Sequence, residues 1–499
     1  MAYLITLVAA ISSLVPVATC KRDTKNECCA AFLADPSLRD KVFLPESSTY
    51  AERLADYYSK NAALSPSCMV LPLSTGDVSA IAATIYENGC QFGIRSGGHS
   101  AYAGANSVEG GVTVDFGYMN ATSYTPGSGS VVIPAGSTWG QVYETLDPLG
   151  VSVAGGRASS VGVGGFTTGG GYSFHANAVG WACDTVRNFE VVLANGTVIN
   201  ANSEENADLW KAQKGASGNF GFVTQVEFDV QPTNRIWGGF IFYPAAQALA
   251  LFEAYVEFVN NMDKKPNSQA LMGIIGNETP NVQYLAPISE NTGVPDRAAF
   301  EGLFSISNAT SSVKDHTYAD IAPLVVALTH PGWYSNWIVE LYASNVDMLS
   351  SINDSFLKTL AKMRAAVPNR QFSFLVELQP VTQSIVKHSA ARGGNVLGLD
   401  SVVADGPAVM CMLSLTVEMT DLQEALLPLA LDLRDEIVAY ADGKGLNKNW
   451  RYAPYAWGNQ DPLADYGTEN IALIKAAAGK YDPDGVFQTL RASGFKIPV

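Results

Sequence analysis

Three glycine-rich stretches constrain this chain more than any other feature. The first is Gly93-Ile94-Arg95-Ser96-Gly97-Gly98-His99-Ser100-Ala101-Tyr102-Ala103-Gly104. The second runs from Gly155-Gly156-Arg157-Ala158-Ser159-Ser160-Val161-Gly162-Val163-Gly164-Gly165 to Gly169-Gly170-Gly171-Tyr172, and the third is Gly215-Ala216-Ser217-Gly218-Asn219-Phe220-Gly221-Phe222-Val223-Thr224. Paired glycines let a backbone approach a bulky charged group closely, and successive amides in such a turn form an anion-binding concavity. No Walker A sequence is present, and no correctly spaced Gly-x-Gly-x-x-Gly follows an early strand. A single phosphate loop therefore fits less well than several loops converging on one extended ligand. Arg95 adds a fixed positive charge, so the first loop suits a pyrophosphate. His99, one of five histidines, sits where it could touch the rest of that ligand; the bland alternative is a satisfied structural histidine. Gly98-His99-Ser100-Ala101-Tyr102 falls one residue short of a Gly-x-Ser-x-Gly nucleophile elbow, and the glycines that follow oppose the helix an elbow needs. A hydrolase with Ser100 as nucleophile is rejected on that ground.

With 499 residues the chain is too long for one ordinary core, so two or more domains are expected. A net charge of −16 disfavours nucleic acid and anionic membranes as partners. Residues 2–18 are apolar and end in Val17-Ala18-Thr19-Cys20, the length of a signal-peptide core and short for a membrane span. A signal peptide over 1–20 and a secreted protein are the expectation. Cleavage there leaves cysteines 28, 29, 68, 90, 183 and 411, some of which should pair in an oxidising compartment. No Cys or His spacing suggests a metal site. Asn-x-Ser/Thr triplets at Asn120, Asn195, Asn277, Asn308 and Asn353 are candidate glycosylation sites.

Residues 24–65 read as largely helical. Helices are expected over 77–88, 138–149 and 206–212, and strands over 91–95, 111–116, 131–136 and 222–230. The turn Asn195-Gly196 between two apolar runs marks a hairpin. Beyond residue 235 the glycine loops stop. Strand-like segments 237–243, 270–276, 335–343, 371–379 and 408–418 alternate with helical stretches 245–262, 346–367 and 422–440, the pattern of an antiparallel sheet backed by helices. Glu377 and Gln379 lie two apart on one strand and hence on one face.

The motifs Arg95-Ser96-Gly97-Gly98-His99-Ser100, Gly156-Arg157, Gly164-Gly165 with Gly169-Gly170-Gly171-Tyr172, and Gly218-Asn219-Phe220-Gly221 together resemble the FAD-binding domain of the vanillyl-alcohol-oxidase (PCMH) type. The nearest branch is the berberine-bridge-enzyme-like oxidases, especially the secreted fungal ones. Lys480-Tyr481-Asp482-Pro483-Asp484-Gly485-Val486-Phe487-Gln488 and Gly494-Phe495-Lys496 are similar to the end of that branch. The resemblance implies an α+β fold: a two-part FAD-binding domain over 21–234, a substrate domain over 235–445, and a segment 446–499 returning to the first. It implies FAD held by Arg95, Ser96, Gly97, Gly98, His99, Ser100, Gly136, Gly156, Arg157, Ser159, Ser160, Gly162, Gly164, Gly165, Gly169, Gly170, Gly218, Asn219, Gly221 and Val223. His99 would carry the covalent link. Ala158 stands where many relatives have a second, cysteinyl attachment, so a single link is expected. A bridge from Cys28 or Cys29 to Cys68, with Cys29–Cys68 the chosen pairing, is likewise implied by the resemblance.

The implied reaction is hydride transfer from a small organic substrate, of secondary-metabolite type, to the flavin, with O2 as reoxidant and a monomeric enzyme. Tyr455 and Tyr452 match the C-terminal aromatic loop that supplies the base in relatives, although Pro454 and Trp457 depart from its usual residues. His175 is a further acid–base candidate, and Glu377 and Gln379 are candidate substrate-pocket residues. A tyrosine acting as base needs a cationic or hydrogen-bonding neighbour. The alternatives are a flavin-dependent oxidative cyclase or Diels–Alder-type cyclase, a carbohydrate or alcohol oxidase, and a non-catalytic flavoprotein.

Overall fold

A computed structural model describes residues 24–499; the expected signal segment 1–20 lies outside them. Three sheets organise the chain. The first pairs Val42–Phe43, Cys68–Val70, Val112–Asp115 and Phe92–Arg95 in that order, with all but the Val42–Phe43 pairing parallel. Its central strand Val112–Asp115 is buried throughout, as a strand covered on both faces must be. The second is antiparallel, in the order Ser123–Tyr124, Ser130–Pro134, Phe222–Asp229, Val186–Val192, Val198–Asn202. The Asn195-Gly196 hairpin closes as expected: the Leu193 amide donates to Thr197 O, and Gly196 takes φ +82°.

The third sheet is nine-stranded and antiparallel. Phe372–Val381 lies between Met272–Asn277 and Ala408–Val417, with Tyr334–Ala343 at the edge beyond, and helices Ala248–Asn260, Val346–Ala366 and Thr420–Lys444 cover one face. Alternation explains the burial: Phe374, Val376 and Leu378 enter the core under the helices, while Leu375 and Glu377 face the other way. The α+β architecture expected from the sequence is the observed one.

The differences are local. The long strand Val282–Glu290 and the helix Tyr318–Val326, which starts at a Thr317/Asp320 capping box, were not anticipated from the sequence. The stretch expected as one helix from 138 to 149 is helical over Trp139–Leu146, and Asp147-Pro148 turns the remainder into a 3-10 turn. The final segment returns to the first sheet: Val486 and Phe487 join its core, Phe487 packs edge-on against Phe92 and Phe222, and the Phe92 amide donates to Leu490 O at 3.0 Å.

Two disulfides tie the N-terminal helix Thr24–Ala34 to that sheet: Cys29–Cys68 and, not anticipated, Cys28–Cys90. Cys183 and Cys411 are buried and free. Asn353 corrects a sequence expectation. Its side chain is 8% exposed, and its Oδ1 accepts from the Tyr284 hydroxyl at 2.7 Å, which leaves no room for a glycan. No helix among the described residues is long and apolar enough to cross a membrane.

Candidate active site

The three glycine segments, the outer face of the nine-stranded sheet and the C-terminal loops enclose one cavity of about 380 Å³. The strand Phe92–Arg95 delivers the first loop to its wall. Loops one and two meet there backbone to backbone. A Cβ on Gly97 would lie 2.5 Å from the Gly162 nitrogen, and one on Gly162 would lie 2.2 Å from the Gly97 nitrogen, so glycine is demanded at both. The amides of Gly97, Gly98, His99 and Ser100 donate to no acceptor within the described residues. They form a row of free donors suited to an anion. Ser96 is used locally: its hydroxyl donates to Ala135 O and accepts from the Gly164 amide.

His99 lines the cavity. Its Nε2 lies 3.0 Å from Ser160 Oγ, and its ring stacks on Tyr58 at 4.0 Å between centroids, with Trp337 beyond. Burial holds its pKa down to about 4, so the imidazole is neutral and one ring nitrogen keeps its lone pair.

Opposite the glycine loops sits a polar cluster set in an apolar wall. Arg157 Nη2 donates to Gln379 Oε1 at 2.8 Å and to the Tyr455 hydroxyl at 3.1 Å, and lies 3.7 Å from Glu377 Oε1. Gln379 Nε2 donates to the same Glu377 oxygen at 2.9 Å. Glu377 thus faces the cavity while Gln379, fully buried behind it, orients both charged groups. Burial raises the Glu377 pKa above the usual carboxylate range, and Arg157 opposes that. Burial also raises the Tyr455 pKa, again opposed chiefly by Arg157. Around them the wall is Leu271, Ile275, Leu285, Pro287, Ile321, Val325, Trp337, Leu375 and Met412. Such a surface takes up apolar rings or chains and offers few partners to a sugar's hydroxyls.

Several expected site residues stand elsewhere. Arg95 turns away from the cavity: it is fully buried, paired with Asp115 and Asp56, bonded to Arg53 O, and stacked over Tyr57. Its charge is already neutralised there. Gly136 is a close-packing position, where a Cβ would sit 1.7 Å from Phe116 O. Ser159, Gly170 and Asn219 also lie off the cavity wall, as does Ser160 apart from its contact with His99.

His175 is displaced as well. It is 4% exposed against Tyr318, its Nε2 has no hydrogen-bond partner, and burial pulls its pKa down to about 3. It has no access to the cavity through which to act as acid or base. Tyr452 borders the cavity, but its hydroxyl is engaged elsewhere. Its hydroxyl accepts from the Gly171 amide at 2.8 Å, and the ring packs against Trp181 and Trp450. That makes it a packing residue. The cation beside Tyr455 is Arg157 from the second glycine segment, since the adjacent Arg451 is engaged bidentately by Asp465.

Ser96, Gly97, Gly98, His99, Ser100, Gly156, Arg157, Gly162, Gly164, Gly165, Gly169, Gly218, Gly221 and Val223 do border the cavity, as do Ala158 and Glu377. Tyr58, Trp337 and Arg491 border it without a sequence signal of their own.

Comparison with known proteins agrees with this cavity. The FAD binding domain family matches residues 66–202. The chain is 36% identical over 484 residues to the FAD-dependent monooxygenase sdcF of Emericella nidulans, covering 94% of this chain and 98% of that protein. It is 35% identical to the FAD-dependent monooxygenase drtC of Aspergillus calidoustus, covering 96% and 91% of the two chains. Among solved structures, 6-hydroxy-D-nicotine oxidase of Arthrobacter nicotinovorans superposes with a TM-score of 0.75 at 20% identity over 92% of this chain and 97% of the other. A berberine bridge enzyme variant superposes with a TM-score of 0.73 at 17% identity over 95% and 99%. The free amides of the first loop and the glycine-only contact between Gly97 and Gly162 suit a flavin dinucleotide: donors for its phosphates and a backbone close enough to reach them.

Proposed function

Because this chain belongs to the family of the FAD-dependent monooxygenases sdcF and drtC, we propose that it is a flavoenzyme of the berberine-bridge-enzyme-like branch, a secreted oxidase of a small apolar, secondary-metabolite-type substrate. FAD, when bound, would supply a two-electron acceptor for a substrate hydride, with O2 as the final oxidant. His99 is the attachment residue: a neutral ring beside Ser160 and stacked on Tyr58 presents a nucleophilic nitrogen in a fixed orientation. Ala158 on the cavity wall has no thiol, so His99 carries the only link. Gly97, Gly98, His99 and Ser100 hold phosphate through their amides.

The observation that carries the reading is the Glu377–Arg157–Tyr455 cluster on the same apolar cavity that His99 lines. Glu377 takes the proton that must leave as the substrate is oxidised. Burial raises its pKa, against the pull of Arg157, and so makes it a stronger base than an exposed carboxylate. Tyr455 accepts from Arg157, so its own hydroxyl proton is left to bond a substrate oxygen or nitrogen. The apolar wall excludes water and disfavours the carbohydrate reading. The two disulfides fit an oxidising secretory compartment.

Acid precipitation of purified protein with a His99→Ala control tests the attachment: yellow should stay with the wild-type pellet and wash out of the variant. Anaerobic bleaching of the flavin by a panel of apolar phenols, alcohols and amines then tests the chemistry. Glu377→Gln should slow bleaching by roughly 10²–10⁴-fold with flavin content unchanged. One H2O2 formed per O2 consumed marks an oxidase. Oxygen from 18O2 in the product would instead mark the monooxygenase chemistry named for the relatives, and turnover without O2 a cyclase. A colourless wild-type protein, or Glu377→Gln bleaching at the wild-type rate, would overturn the proposal.

A further inference from the structure

The C-terminal segment brings a cation to the cavity that nothing in the chain neutralises. Arg491 runs beside the strand Phe92–Arg95, where the Ala492 amide donates to Phe92 O at 2.7 Å, and its side chain is 3% exposed. Nε donates to Phe487 O at 3.2 Å. Nη2 donates to Asn219 Oδ1 at 2.7 Å and Phe495 O at 2.8 Å. Nη1 has no acceptor within the described residues. It stands by Gly218 and Gly494, whose missing side chains leave space around it: a Cβ at those positions would lie 3.3 Å and 3.2 Å from that nitrogen. All three residues line the cavity.

Arg491 forms no ion pair among the described residues. The carboxylate of Asp482 is occupied by the amides of Val486 and Phe487 at 2.9 Å and 2.7 Å. The Lys496 amine lies alongside on the carbonyls of Phe487, Arg491 and Ser493, its pKa pulled down to about 6 by burial and by the neighbouring Arg491. A buried guanidinium with no carboxylate partner calls for an anion from outside the chain.

We propose that Arg491 is the counter-ion for the pyrophosphate of the bound dinucleotide, with Nη1 as the donor. This rests on the FAD reading above and moves the charged role from Arg95, which is already paired, to a residue near the chain's end. Pyrophosphate is the only group of FAD that is anionic at neutral pH, and a guanidinium is the side chain best matched to it. Asn219 and the Phe495 carbonyl are positioning groups: they hold one edge of the guanidinium and leave the other facing the cavity.

The test uses the His99→Ala chain, in which flavin exchanges, titrated with FAD, ADP and riboflavin at low and high salt. Arg491→Gln should weaken FAD and ADP by about tenfold or more. Riboflavin, which has no phosphate, should bind within about twofold of the parent, and the salt dependence of FAD binding should flatten. Arg491→Lys should recover part of the loss. Undiminished FAD and ADP binding would overturn the proposal, and so would a riboflavin loss as large as the FAD loss, because that would mark a packing role. Should Arg491→Gln not fold, the FAD-to-riboflavin ratio in Arg491→Lys decides: a lowered ratio supports the proposal and an unchanged one overturns it. Failure of the parent chain to bind either FAD or ADP would instead sink the flavoprotein reading, and this inference with it.

Discussion

Replacing Arg157 by Gln should raise the pKa of Glu377. Gln keeps a donor for Tyr455 and Gln379 but removes the charge 3.7 Å from Glu377 Oε1. At an effective dielectric of about 20, that separation corresponds to roughly 332/(20 × 3.7), or about 4.5 kcal/mol of attraction. Both side chains face the cavity, with 12% and 25% of their surface exposed, so solvent there screens part of that attraction. The sign is fixed by the two opposing influences on this carboxyl: burial, the larger, pushes the pKa up, and Arg157 pulls it down. Removing the cation leaves burial unopposed. The protonated-carboxyl stretch in infrared pH titration reads this without a substrate, assigned by its loss in Glu377→Gln. Its midpoint should lie above the ordinary glutamate range in the wild type and higher still in Arg157→Gln, and the rising limb of flavin reduction against pH should move with it. A midpoint that stays in place or falls would refute the coupling on which the proposed base rests.

Two further outcomes follow from the same geometry. Gly162→Ala places a Cβ 2.2 Å from the Gly97 nitrogen, so the two loops must part by more than a side chain can absorb. Flavin content at purification should collapse, and stability should fall by about 1–3 kcal/mol in chemical denaturation. His175→Phe should leave flavin reduction unchanged, because His175 lies off the cavity. The wild type should lose stability to this histidine as pH falls from the ordinary histidine pKa towards about 3, since the unfolded chain takes up the proton that the buried ring refuses. The variant's unfolding curve should be flatter over that window.

Local chemistry made much of the molecule legible. The glycine loops, the Asn195-Gly196 turn and the alternation along Phe372–Val381 each announce a backbone conformation that few other residues could adopt. The motif spacing announced the cofactor class, and Glu377 was legible because two polar residues at i and i+2 interrupt an apolar strand. Val282–Glu290 and Tyr318–Val326 were missed although their signals are present: Pro280-Asn281 and Asn291-Thr292-Gly293 bracket the strand, and Thr317 with Asp320 forms a capping box at the start of the helix.

Side-chain direction within loops was not legible. Arg95 sits in the strongest motif yet spends its charge on Asp115 and Asp56, whereas Arg491 reaches the cavity because its strand-like segment lies beside Phe92–Arg95. His175 and Tyr452 lie next to or within family-like motifs, but burial and the Gly171 amide take them out of the chemistry. Arg157, Glu377, Gln379 and Tyr455 come from three separate parts of the chain, and their hydrogen bonds exist only once the second glycine loop, the nine-stranded sheet and the C-terminal loop are packed together. Backbone conformation is set by neighbours in sequence and leaves a mark there. Charge pairing and cavity access depend on distances between residues far apart in the chain, which are settled when its layers close on one another.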